Sequence, residues 1–266
     1  MQQSTLRLFV ICLMLASTIG AKETKGLNLT LISENKSIQA GQPFTIGLHI
    51  QHHKGYHTYW QNPGVVGVPT NLSWTLPDGF TASAIRWPYP EQSVMADYPC
   101  HGYERDVTLL VTITPPKTFT KKQFTLTAKV SWMCCAMNCQ LGFKTLAITL
   151  PVGAKSEVNS IYQLKFSKAR KELPRSSAGI KCKLLSSAQQ DVINLSFTLP
   201  VQQKPIYLFS SDGQLSSDQK QTFKLQQDGS YLLSIKRSNS PLKGTTSLPG
   251  VLKTNLGCVL VEPKYK

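Results

Sequence analysis

The sequence predicts an all-β protein, two consecutive β-sandwich domains joined by a short helical linker, and three observations carry that expectation. Apolar and polar residues alternate with a period of two, as in Phe44, Ile46, Leu48 and Ile50 against Thr45, Gly47, His49 and Gln51. Turn clusters such as Pro77-Asp78-Gly79 and Pro115-Pro116 break the alternating runs at the short intervals of an antiparallel sandwich. One stretch, Ser156 to Leu173, departs from the alternation and reads as helical.

At the N-terminus, Arg7 precedes the apolar run Leu8 to Ala16 and the small and polar residues Ser17 to Ala21. That order predicts a secretory signal peptide over residues 1–21. The run is shorter than the ~20 residues of a spanning helix, and Ile11 before Cys12 argues against lipid attachment. No later run is long enough to span a bilayer, so the mature chain is expected to be soluble and extracytoplasmic.

Residues 22–152 form the first expected domain, with strands at Leu27 to Ile32, Phe44 to Gln51, Thr108 to Ile113, Phe124 to Trp132 and Lys144 to Leu150. The helical linker spans residues 153–179. Its apolar positions are Val158, Ile161, Tyr162, Ala169 and Leu173, and Pro174 closes it. A second, smaller sandwich covers residues 180–266, with strands around Ile193 to Leu199, Pro205 to Phe209, Tyr231 to Ile235 and Cys258 to Val261. Asp212-Gly213 and Asp228-Gly229 suit hairpin turns.

The formal charge of +15 falls to +14 once Arg7 leaves with the signal. The lysines are scattered singly and no nucleic-acid motif accompanies them, so the charge reads as a solvated basic surface with no nucleic-acid partner.

Cysteine carries the chemistry. Cys100, Cys134, Cys135, Cys139, Cys182 and Cys258 remain after cleavage, an even number in an oxidising compartment. In an extended chain residues 135 and 139 would lie about 13 Å apart, too far for a disulfide. A hairpin closed by Ala136-Met137-Asn138 makes them opposing residues with Cα atoms roughly 4.5–5.5 Å apart, within reach of one. Such a bridge closes a very small loop and sits at a surface turn. It serves either as a bond meant to be made and broken or as a static staple. A Cys182–Cys258 bridge would close a long loop and contribute about 4 kcal/mol.

Metal binding is the rival reading. Met133, Cys134, Cys135, Met137 and Cys139, with Met95, Cys100 and His101 in the adjoining loop, are soft donors of the kind that suit Cu(I). His52 and His53 are adjacent on a strand and point to opposite faces, so they do not share an ion with His57.

Several motifs, taken together, resemble one family. His57-Thr-Tyr-Trp-Gln-Asn-Pro-Gly-Val-Val-Gly-Val-Pro-Thr70, Trp74-Thr-Leu-Pro-Asp-Gly79, Ile85-Arg-Trp-Pro-Tyr-Pro90, Gly102-Tyr-Glu104 and Trp132 to Cys139 are similar in order to the N-terminal periplasmic domain of the bacterial thiol:disulfide interchange proteins DsbD and ScsB. The similarity runs over about residues 25 to 152 and continues weakly to Pro241-Leu-Lys-Gly244. The resemblance implies an immunoglobulin-like domain whose pair, matching Cys135 and Cys139, takes electrons from a membrane-embedded disulfide reductase or a thioredoxin-like protein and passes them to periplasmic thiol/disulfide clients. It implies a shielding cap loop between about Glu91 and Gly102, with Asp97 and Tyr98 as capping residues, and no cofactor. The ScsB branch also keeps copper tolerance within the resemblance. Val65-Val66 and Leu141 depart from the family pattern, and no membrane or thioredoxin-like domain is read here, so either the electron donor is a separate protein or the chain has been turned to another use. Cys100 and Cys134 are then left to form a second bridge that pins the cap, or to remain thiols.

Overall fold

The computed structural model describes residues 26–177, 179–187, 190–238 and 245–265. The expected signal peptide and the motif from Pro241 to Gly244 lie outside the described residues. Among the described residues no helix is long and apolar enough to cross a membrane.

The first unit contains β1 (Leu27–Ser33), β2 (Phe44–His52), β3 (His57–Gly64), β4 (Asn71–Thr75), β5 (Thr81–Ala82), β6 (Glu91–Met95), β7 (Tyr98–Tyr103), β8 (Val107–Thr114), β9 (Gln123–Cys135) and β10 (Cys139–Pro151). They make two antiparallel sheets, β1-β2-β8-β5 and β10-β9-β3-β7-β6, with β4 paired to β9. The alternation explains the packing. Phe44, Ile46, Leu48 and Ile50 of β2 and Phe124, Leu126, Ala128, Val130 and Trp132 of β9 turn the same way along their strands and meet in one core.

The outer face of β2, expected to be wet, is covered. The helix α1 (Gln163–Lys171) lays Phe166 and Ala169 against Ile32 and Leu110, so the linker is docked on the first sandwich. Gly47 makes the approach feasible, because a Cβ there would lie 2.6 Å from Thr108 and 3.4 Å from the Phe166 ring. Lys165 Nζ contacts His49 Nε2 at 2.8 Å, and Arg170 pairs with Glu34. The helix starts later than its apolar pattern suggested. Asn35 bridges to Val158 in extended pairing, and Val158 and Ile161 stay exposed.

The second unit comprises β11 (Lys181–Leu184), β12 (Val192–Thr198), β13 (Pro205–Ser210), β14 (Phe223–Leu225), β15 (Tyr231–Lys236), β16 (Gly250–Thr254) and β17 (Gly257–Val261). Its sheets are β11-β12-β15-β14 and β13-β16-β17. The three-stranded sheet serves two cores at once. Leu208, Leu252, Val259 and Val261 face Ile193, Leu195, Phe197 and Leu233 of the same unit. Tyr207, Phe209, Val251 and Cys258, one residue out of step, join the core of the first unit. Phe209 meets Trp60 edge to face at 6.1 Å, and Asn62 Nδ2 donates to the Ser210 carbonyl at 2.6 Å. The two sandwiches therefore share buried surface.

That arrangement corrects one expectation. Cys182 and Cys258 are separate thiols rather than a bridge. Cys182 lies on β11 and packs beside the second core, whereas Cys258 on β17 turns into the first. Burial pushes the Cys182 thiol up to about 12 and raises that of Cys258.

Candidate functional site

The hairpin β9–β10 closes around Ala136-Met137-Asn138, with Ala136 N–H donating to the Asn138 carbonyl. Its register sets Cys135 opposite Cys139, with Cα atoms 4.1 Å apart and a disulfide between them. The two sulfurs have different surroundings. Cys135 is fully buried, whereas Cys139 begins an edge strand and is exposed.

Strand alternation divides the cysteine cluster. Cys134 belongs to the inner row of β9 and sits in the main core, while Cys135 belongs to the outer row. Cys134 is a buried free thiol, pushed up to about 11 by burial. Cys100 on β7 is also free, and it packs with Tyr59 and Cys135. Burial raises its thiol, and a hydrogen bond with Ser93 partly offsets this. Cys100 and Cys134 thus lie in different clusters and are not bridged. The same alternation separates the soft donors of the copper alternative. Cys134 faces the core, Cys135 and Cys139 bind each other, and Met137 is 92% exposed at the hairpin tip. Among the described residues no group of three or more His, Cys, Asp or Glu side chains converges as a metal site.

Strand β3 supplies what the sequence reading missed. His57 pairs with Cys135 across the ladder, and Tyr59, two residues on, shares its face. The Tyr59 hydroxyl donates to Cys135 Sγ at 3.0 Å and lies 3.8 Å from Cys139 Sγ. His57 Nε2 is 3.3 Å from the same hydroxyl, with the rings edge to face at 5.2 Å. Burial pushes the Tyr59 phenol up to about 12 and holds His57 below its ordinary range, with Glu104 partly opposing the latter. Gly67 lies directly over the Tyr59 ring, since a Cβ there would come within 2.2 Å of it, and its φ of +109° suits glycine. Both His57 and Tyr59 were visible in the sequence as i, i+2 residues. Only the pairing of β3 with β9 gives them a role.

The expected cap loop is a hairpin of β6 and β7 with Ser93 opposite Cys100 and a tight turn at Ala96-Asp97, where Ala96 has φ of 53°. Backbone pairing, not a free loop, therefore holds its base. Met95 of this hairpin packs on the Tyr59–Cys100–Cys135 cluster, as do Val66 and Met133. Asp97 and Tyr98, the expected capping residues, are exposed at the tip. At the base, His101 is buried, with Nε2 3.0 Å from the Tyr207 hydroxyl of the second unit.

On the outer face of β10, Leu141 and Phe143 continue the row begun by Cys139 and are 61% and 76% exposed. Met133 and Ser131 lie opposite them on β9, followed by Lys129. A groove of about 350 Å³ beside Phe143 is lined by Asn71, Ser73, Lys129, Ser131 and Thr145. An exposed cysteine, an apolar row and a basic margin thus share one surface.

Comparison with known proteins bears on the family and the fold. Residues 30–151 match the family described as thiol:disulfide interchange protein DsbD, N-terminal. The N-terminal periplasmic domain of ScsB from Proteus mirabilis has a similar fold, with a TM-score of 0.65 at 15% identity over 91% of this chain and 94% of that one. A marsupial T cell receptor aligns over 91% of this chain and 97% of its own at 12% identity, but its TM-score of 0.20 carries no weight. No curated protein sequence matches the chain. The immunoglobulin-like all-β fold expected from the sequence is the fold of the molecule.

Proposed function

From the match of residues 30–151 to the DsbD N-terminal family, we propose that the chain is a periplasmic thiol:disulfide interchange protein working through Cys135 and Cys139. The observation that carries this reading is a bridge across a hairpin mouth that joins an exposed cysteine to a buried one. A thiolate of a reduced donor attacks Cys139 Sγ, the S–S bond breaks, and Cys135 leaves with the electron pair. The donor's second thiol then attacks its own sulfur in the mixed disulfide, becomes oxidised and releases a reduced pair. In the forward step Cys139 attacks a client disulfide and Cys135 resolves the intermediate.

The donor is a membrane-embedded reductase or a thioredoxin-like protein, which docks on the row from Met137 through Leu141 to Phe143. Met95 on the cap must shift for a bulky partner to approach Tyr59 and the bridge.

Trapping of the reduced single-cysteine variants with a partner that carries a disulfide tests the order of attack, because the remaining thiolate forms the mixed disulfide by breaking the partner's S–S bond and releasing one partner thiol. Cys135→Ser keeps the exposed cysteine and should accumulate mixed disulfide. Cys139→Ser keeps only the buried one and should react at least ~10-fold more slowly, because the thiolate is both shielded and destabilised by burial. Equal trapping by the two variants would overturn the assignment of Cys139 as the sulfur that meets the partner.

A further inference from the structure

We propose that Tyr59 and His57 form a proton relay to the buried sulfur of the pair, with Tyr59 as the group that meets the charge of Cys135 when the bond opens. The proposal rests on the exchange reading above and adds the fate of the proton. It starts from a difficulty: breaking the bridge at Cys139 puts a thiolate on a fully buried residue, where an uncompensated charge is costly.

The Tyr59 hydroxyl is already aimed at that sulfur, 3.0 Å away. It has a single proton, so with that proton directed at Cys135 its oxygen accepts from His57, 3.3 Å off. The hydrogen-bond network therefore assigns His57 the tautomer with hydrogen on Nε2. The relay then balances. A donor thiolate forms a bond to Cys139 Sγ, and the electron pair of the S–S bond passes to Cys135 Sγ. Tyr59 gives its proton to that sulfur, His57 Nε2–H restores the phenol, and His57 Nδ1 takes one proton from solvent. The net change is one proton from water to Cys135, and the imidazole ends neutral in its other tautomer. Reversal carries the proton out again when Cys135 resolves a mixed disulfide.

The surroundings suit this role. The groups around the pair are His52 from β2, Cys100 within β7, Glu104 just after β7, Cys134 from β9 and Cys139 from β10. Burial favours a neutral imidazole and an un-ionised phenol near neutral pH, the states that a tautomeric relay requires. Tyr59 touches a reacting atom, whereas His57 is a positioning residue that acts through it.

The test is the pH profile for opening of the disulfide by dithiothreitol, corrected for the thiolate fraction of the reagent, together with titration of the reduced pair by thiolate absorbance. Tyr59→Phe removes a hydrogen bond to an ionised sulfur, so opening should slow by about tenfold and the Cys135 thiol should titrate about one unit higher. Wild type should show an inflection below the ordinary histidine range that His57→Gln abolishes. A Tyr59→Phe protein that opens within twofold of wild type with an unchanged thiol titration overturns the relay, as does a His57→Gln profile identical to wild type. If Tyr59→Phe does not fold, comparison of wild type with His57→Gln decides alone. A wild-type bridge that resists dithiothreitol would overturn the exchange reading itself, and so differs from failure of the relay.

Discussion

Reducing the Cys135–Cys139 bridge should leave the protein folded, and the size of the effect follows from the structure. The bridged residues are four apart in sequence. In the chain-entropy model a loop that small restricts the unfolded chain by only about 2 kcal/mol, against about 4 kcal/mol for a bridge spanning the distance from Cys182 to Cys258. Nor does the hairpin rely on the bond. Its ladder continues from Cys139 and Cys135 to Pro151 and Gln123, with Leu126, Val130 and Trp132 buried along it. For a chain of this size, about 2 kcal/mol corresponds to a drop of roughly 4–8 °C in Tm. Circular dichroism melts of the oxidised protein and of protein held reduced would measure it, with thiol counting to confirm the state of each sample. A loss of more than about 5 kcal/mol, or loss of the β-sheet signal on reduction near 25 °C, would refute the reasoning. The bridge would then be a structural staple.

Stability should also fall in mild acid. Burial depresses His52 and His101 to about 4 in the folded protein, against an ordinary value of 6.5. The unfolded chain therefore binds more protons between those limits, and the stability held above pH 6.5 is lost as pH falls toward 4. At pH 5 the loss should be about 2 kcal/mol per histidine, readable from urea midpoints. No change between pH 7 and pH 5 would contradict the burial of both rings. At the shared sheet, Phe209→Ala should cost about 3–5 kcal/mol and loosen both sandwiches in hydrogen exchange, because Phe209 is fully buried against Trp60 and His101. Protection lost only in the second unit would argue against a joint core. Finally, Leu141→Ser with Phe143→Ser should slow exchange with a protein donor by about fivefold per residue, on the order of 1 kcal/mol each, and leave exchange with dithiothreitol unchanged. Equal rates with the protein donor would remove that surface from the docking site.

The cysteine hairpin was legible in the sequence because two local signals agree: the alternation from Phe124 to Trp132 sets the strand, and the cysteine spacing fits a three-residue turn. The same alternation separates Cys134 from Cys135 without coordinates. What stayed hidden depends on pairings between distant segments. The run Ile206-Tyr207-Leu208-Phe209 is apolar on both faces, which signals a covered strand but not that one face belongs to each core. That division explains why Cys258 faces away from Cys182. His57 and Tyr59 stood in a recognisable motif, yet their role appears only when β3 is laid beside β9. The cap read as a loop because Val94, Pro99 and Tyr98 do not alternate cleanly, and the Ala96 turn lacks a glycine to announce it.

The most direct measurement is a redox titration of the purified protein against glutathione, with mass mapping of every cysteine at each poise. Cys135 and Cys139 should convert together as a two-electron pair at a potential accessible to periplasmic thiol donors, while Cys100, Cys134, Cys182 and Cys258 remain thiols throughout. A bridge that stays closed at every physiological poise, or that opens only when the protein unfolds, would contradict interchange through this pair.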